Sequence, residues 1–295
     1  MSKESTNRLG AMACLVERLP AKQVRSAGIE VCATFRAKPE LKLFILSAGQ
    51  SPIRGPLTSK PQDRSSFYAE PANPALPSTG FKLDKSRAAL VVVDPQNDFL
   101  SPSGVSWPFF GESITENGTV PHLHELFTAA KAANLTVAIS PHYYYPTDHE
   151  WEYGGPLEKL MHQIGMFDRQ GSLELEGFHG SGADFLEDFK QFILDGKTII
   201  APPHKVYGPE TNDLILQLRK RGVSQIILAG MAANLCIEAH LREFIEQGLE
   251  LAVVKDATAG PRAPEGDGYL AALINFRFLA HALWTTKQAV SELTN

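Results

Sequence analysis

Three side chains of this sequence have the types and placement to act together on a carbonyl: Asp94, Lys205 and Cys236. Cys236 lies in Gly230-Met231-Ala232-Ala233-Asn234-Leu235-Cys236-Ile237-Glu238. The apolar run before it, Val223 to Ala229, reads as a buried parallel strand, being too short for a helix and lacking a polar face. Gly230 to Asn234 supply small residues for a tight turn. Ile237, Leu241, Phe244 and Ile245 then recur at helical spacing until Gly248 ends the helix. The thiol is therefore expected in a helix's first turn, where unpaired N–H groups and the positive dipole end favour a thiolate and can hold an oxyanion. Asp94 closes the run Val91-Val92-Val93, and Lys205 follows the run that ends at Ala201. A carboxylate there can take the thiol proton, and an ammonium can stabilise the charges that form. Each residue alone has a plainer role, as small hydrophobe, turn residue and solvated loop charge respectively. Their joint occurrence after strands is the signal.

The elements that must position these groups alternate from Ser86 onward. Strands are predicted at Ala88–Val93, Leu135–Ile139, Lys197–Ala201, Val223–Ala229, Leu249–Val254 and Ala280–Thr285. Helices are predicted at Val120–Ala133, Ala183–Leu194, Thr211–Arg221, from Leu235 to Gly248, and at Asp267–Phe278. Six apolar strands alternating with helices imply an α/β fold, a three-layer α/β/α sandwich with a six-stranded, mainly parallel sheet. Ligands of such sheets lie beyond the carboxyl ends of the strands, where strand order reverses. No Gly-rich turn follows the first strand, which excludes a dinucleotide-binding reading. The interval from Pro141 to Gly182 has no clean periodicity and is longer than a connection needs, as lids and binding loops are.

Residues 1–84 differ from the rest. They read as a largely irregular or disordered extension before a domain at 85–295, with Leu41–Leu46 as an isolated candidate strand and six prolines between 51 and 80. The first 80 residues hold 11 Lys/Arg against 6 Asp/Glu, the remainder 17 against 27. A basic start of this kind leaves organelle targeting open, although Glu4, Glu17 and Glu30 weaken it. The net charge of −5 gives no reason to expect nucleic acid or an anionic membrane as partner. No apolar run is long enough to cross a bilayer. Cysteines at 14, 32 and 236 form no disulfide framework and suit a reducing, cytoplasmic setting.

Asp94-Pro95-Gln96-Asn97-Asp98-Phe99 resembles the Asp-x-Gln-x-Asp-Phe opening of the isochorismatase-like cysteine hydrolases, and the Gly230–Glu238 segment is similar to that superfamily's nucleophile turn. Lys205 with Thr211-Asn212-Asp213-Leu214 resembles the lysine segment between them. The resemblance covers roughly residues 86–290. It implies an Asp94–Lys205–Cys236 triad, a cis peptide between Met231 and Ala232, and an oxyanion hole from the N–H groups of Ala232 and Cys236. It further implies hydrolysis of a small carboxamide or other C–N substrate through a thioester, in a homo-oligomer. Two alternatives stay open: vinyl-ether cleavage of the isochorismatase type, which does not need Cys236, and a catalytically silent binding protein.

Substrate contacts are expected from Gln96, Phe99 and Met231 in the motifs, from His142, Tyr144 and Trp151 in the long interval, and from Tyr207 beside Lys205. The aromatic side chains of that interval suit a subunit interface equally well. Nicotinamidases of this superfamily carry an Asp-x-His…His metal set after the second strand. Here Ser140 stands where the aspartate belongs, with His142 following and Asp148 and His149 further on. Neither a metal nor a cofactor is predicted.

Overall fold

A computed structural model describes residues 68–295. The candidate strand at Leu41–Leu46 and the rest of residues 1–67 lie outside the described residues. The element order is β1 (Ala88–Val93), α1 (Asn97–Leu100), α2 (Trp107–Asn117), α3 (Thr119–Ala132), β2 (Thr136–Ser140) and α4 (Pro156–Ile164). It continues with α5 (Glu187–Ile193), β3 (Ile199–Ile200), α6 (Leu214–Lys220), β4 (Gln225–Gly230), α7 (Glu238–Glu246) and β5 (Glu250–Thr258). The chain ends with β6 (Arg262–Ala263), β7 (Gly266–Asp267), α8 (Gly268–Leu279), β8 (Ala282–Trp284) and α9 (Thr286–Thr294).

The main sheet has six strands in the order β3-β2-β1-β4-β5-β8, and every neighbouring pair is parallel. Each residue of β1 is buried because helices cover both faces, which is why the strand reads as an unbroken apolar run. Alternate residues serve opposite layers. Leu90 and Val92 join one core with Leu123, Phe127 and Phe189, while Ala89, Val91 and Val93 join the other with Leu241, Phe244 and Phe276. Burial of side chains of this size contributes about 1.5–3 kcal/mol each, so the two cores fix the strand's register firmly.

Strand order reverses between β1 and β4, where Val93 lies beside Gly230. Two departures from ordinary backbone stand at this point. Asp94 adopts a left-handed conformation with φ of 48°, which a short polar side chain tolerates better than most. Gly230 has φ of 113°, and a Cβ there would sit 2.1 Å from the Val93 carbonyl oxygen, so only glycine lets the turn pass so close to β1.

Residues 68–84 precede the domain boundary expected from the sequence and form no strand, yet side chains strap them to it. Tyr68 Oη donates to Asp267 Oδ2 at 2.6 Å, Lys255 and Arg277 donate to Glu70, and Gln225 donates to the Lys82 carbonyl. Among the described residues no helix is long and apolar enough to cross a membrane.

Candidate active site

Asp94 and Cys236 meet where the strand order reverses. Val93 is the last residue of β1, and the Met231 N–H donates to its carbonyl, tying the nucleophile turn to the strand that carries Asp94. The Met231–Ala232 peptide is cis. Ala233–Ile237 then form one turn of π-helix, with the Ile237 N–H on the Ala232 carbonyl, before α7 begins. A π turn is a widened turn that often accompanies functional sites. The Cys236 Sγ faces the Asp94 carboxylate and the N–H groups of Ala232 and Cys236.

Burial, together with the charge and hydrogen bond of Asp94, pushes the Cys236 thiol well above the ordinary range, while the Ala232 and Cys236 N–H groups pull the other way. This corrects the expectation of a favoured thiolate. The helix end does face the sulfur, but desolvation and an adjacent carboxylate both oppose a second negative charge, so the resting group is a protonated thiol.

Lys205 does not reach Asp94. Its Nζ donates to the Tyr143 carbonyl at 2.9 Å and to Asp148 Oδ2 at 2.5 Å, and lies 3.6 Å from the centroid of the Tyr145 ring. The preceding residue takes the place expected of it: His204 Nε2 stands 2.8 Å from Asp94 Oδ1. A carboxylate can only accept, so this ring nitrogen donates. The reversal has a simple cause. Consecutive side chains on extended backbone point to opposite sides, so one position of offset decides which of two neighbours enters the site. The His204 N–H donates to the Pro141 carbonyl and thereby fixes that choice.

Behind the sulfur, His240 of α7 uses both ring nitrogens. Nδ1 donates to the Cys236 carbonyl at 2.7 Å, and Nε2 accepts from Ser140 Oγ at 2.8 Å. Burial holds His240 well below the usual histidine range, which suits this neutral donor–acceptor pattern. His240 carries no motif signature and was not legible as a site residue.

The other expected contacts divide. Tyr144 and Tyr207 lie in the field of the Cys236 sulfur, and burial pushes both phenols up, that of Tyr207 to about 12. His142 is stacked on Phe167 with its ring 4.7 Å from that of His204. Trp151 is partly exposed and packs edge-on against Tyr144. Three residues are held among other protein groups. Phe99 is buried against Phe110 and Phe167, and Met231 is buried in the same core. Gln96 is a buried clamp whose Nε2 donates to the His142 and Ala183 carbonyls while Oε1 accepts from the His142 N–H. Its motif neighbour Asp98 accepts from the Phe167 N–H at 2.6 Å. These polar side chains of the first motif thus tie down both ends of the long interval, which includes the helix α4 that periodicity did not reveal.

The metal set known from nicotinamidases does not fit here. Ser140 is bonded to His240, Asp148 to Lys205, and His149 Nε2 to Asp168 Oδ1 at 2.8 Å. An apolar cavity of about 380 Å³ opens beside the nucleophile turn, lined by Phe109, Phe110, Leu157, Met161 and Leu235 among others.

Comparison with known proteins agrees with this frame. The chain is 27% identical over 209 residues to the ureidoacrylate amidohydrolase RutB of Rhizobium rhizogenes, covering 67% of this chain and 79% of that protein. Its fold is similar to that of a cysteine hydrolase from Pseudomonas syringae, with a TM-score of 0.60 and 20% identity over 75% of this chain and 98% of the other. An isochorismatase family protein from Desulfovibrio vulgaris gives a TM-score of 0.55 with 16% identity, covering 71% and 99% of the two chains. The family model for the isochorismatase domain matches residues 88–286, a span that contains the whole sheet and both halves of the Asp94–Cys236 site, and the chain belongs to that family.

Proposed function

We propose that the protein is a cysteine-dependent hydrolase of a small carboxamide or related C–N substrate, with Asp94, His204 and Cys236 as its working unit. The observation that carries this reading is the position of the Asp94 carboxylate, between the His204 Nε2 donor and the Cys236 thiol. That the similar Rhizobium protein is named an amidohydrolase supports C–N hydrolysis over ether cleavage.

The substrate carbonyl oxygen is held by the N–H groups of Ala232 and Cys236. Asp94 takes the thiol proton as sulfur attacks the carbonyl carbon, so the thiolate forms only when its electrons are being used. The tetrahedral adduct collapses to a thioester while the proton passes from Asp94 to the leaving nitrogen. Water then gives a proton to Asp94 and attacks the thioester. The acid leaves, and the proton returns to sulfur. His204 donates to Asp94 throughout and keeps the carboxylate aimed at the thiol.

An ammonia-release screen across small amides and N-carbamoyl compounds tests the reading, with the Cys236→Ala protein as blank. Release that requires Cys236 supports it. Turnover of the same compound by Cys236→Ala at the wild-type rate contradicts it.

A further inference from the structure

The hydrolytic scheme leaves one buried imidazole unused. Both ring nitrogens of His142 lack a hydrogen-bond partner, although the residue is 0% exposed. His204 Nδ1 is also buried without a hydrogen-bond partner. A carboxylate oxygen of Asp94, one ring nitrogen each of His142 and His204, and Cys236 Sγ all lie within 4.8 Å of one another. Four lone-pair-bearing groups thus converge on one point. Only Cys236 reaches solvent, at 4% exposure. Two imidazoles, a thiolate and a carboxylate form a donor set suited to a borderline-soft cation and unsuited to Mg²⁺ or Ca²⁺, which take oxygen ligands.

We infer that Asp94, His142, His204 and Cys236 bind a thiophilic divalent cation of the Zn²⁺ class, which occupies the reaction site and holds the nucleophile out of use. Tetrahedral bonds of about 2.0–2.3 Å put ligand atoms roughly 3.3–3.8 Å apart, so the four groups close by about 1 Å on binding. The thiol proton leaves to solvent as the Zn–S bond forms, and no electron is transferred. The two anionic ligands neutralise the ion. The set differs from that of the nicotinamidases, whose other positions are bonded elsewhere in this chain. It does not depend on which substrate, if any, the protein hydrolyses.

His142 provides the test, because metal binding uses its ring and the proposed hydrolysis does not. Chelator-treated full-length protein is titrated with Zn²⁺ against a chromophoric competitor, and separately with Co²⁺ as a spectroscopic probe. Iodoacetamide labelling of the Cys236 peptide, mapped by mass spectrometry, keeps Cys14 and Cys32 from confusing the readout. One tight Zn²⁺ per chain is expected, with a thiolate-to-Co²⁺ charge-transfer band that Cys236→Ser abolishes. Equimolar Zn²⁺ should protect Cys236, EDTA should restore labelling, and Mg²⁺ should have no effect. His142→Gln should weaken Zn²⁺ binding at least about tenfold. Circular dichroism checks that this variant is folded, and if it is not, the wild-type Co²⁺ spectrum and mapped protection decide the matter. Unchanged Zn²⁺ affinity in folded His142→Gln, absence of the charge-transfer band, or protection only at large excess overturns the inference.

Discussion

His204 Nε2 donates to Asp94 Oδ1 at 2.8 Å, and both side chains are fully buried. This bond turns the carboxylate so that its other face meets the Cys236 thiol, and it gives Asp94 an imidazole N–H rather than an ammonium as partner. On the proposed mechanism, the site holds its proton on sulfur at rest and releases it to Asp94 only as a new bond forms.

The role of Asp94 has a pH signature. Its charge and hydrogen bond both raise the Cys236 thiol, so Asp94→Asn removes a group that disfavours the thiolate. The pH midpoint for alkylation of Cys236 should lie above the ordinary thiol range of about 8.5 in the wild type. It should move downward in Asp94→Asn, without reaching that range because burial remains. Iodoacetamide rates on the Cys236 peptide between neutral and alkaline pH measure this, and an unmoved or rising midpoint contradicts it.

Gln96 should prove structural. Its amide makes three buried hydrogen bonds to the backbone of His142 and Ala183. Gln96→Ala leaves those groups unpaired and should cost about 2–4 kcal/mol of stability, read from urea unfolding. A loss below about 0.5 kcal/mol, within the range of ordinary surface changes, is incompatible with a clamp.

The strap formed by residues 68–84 should weaken in acid. Burial pushes the Glu70 carboxyl up, but hydrogen bonds from Lys255 and Arg277 outweigh it and hold the group below its ordinary value. A depressed carboxyl adds stability above its unfolded value near 4.5, and that increment is lost as pH falls through the lower folded value. Because Glu70 is largely exposed to solvent, the increment should be under about 1 kcal/mol. Urea midpoints of wild type and Glu70→Gln should differ at pH 7 and converge at pH 3; a gap that widens in acid has the wrong sign.

The strands beside the site are legible because both of their faces are buried, so β1 and β4 are continuous apolar runs in sequence as in space. Asp94 and Cys236 follow those runs directly and could be placed from them. The His204 position could not. Strand β3 spans only Ile199–Ile200, too few residues to carry side-chain parity forward to positions 204 and 205. Hydrogen bonding by His204 to a carbonyl distant in sequence decides which neighbour turns inward. The π turn was equally hidden, since Ile237, Leu241 and Phe244 produce the same apolar stripe whether the first turn has four or five residues. In the long interval, α4 escaped notice because its nine residues lie between glycines in a stretch crowded with aromatic side chains on other elements. Gln96 and Phe99 were read as substrate contacts from their motif. In the structure Gln96 ties down the long interval and Phe99 packs in the core.

The central claim is that His204, and not Lys205, completes the unit with Asp94 and Cys236. The measurement that tests it is kcat/KM for an amide found in the ammonia-release screen, compared between folded His204→Gln and Lys205→Met. His204→Gln should lower kcat/KM about 100- to 10,000-fold. Lys205→Met should lose stability of about 1–3 kcal/mol with its Asp148 bond, yet keep kcat/KM within about tenfold of wild type. The opposite ranking, with Lys205→Met inactive and His204→Gln near wild type, would contradict the account.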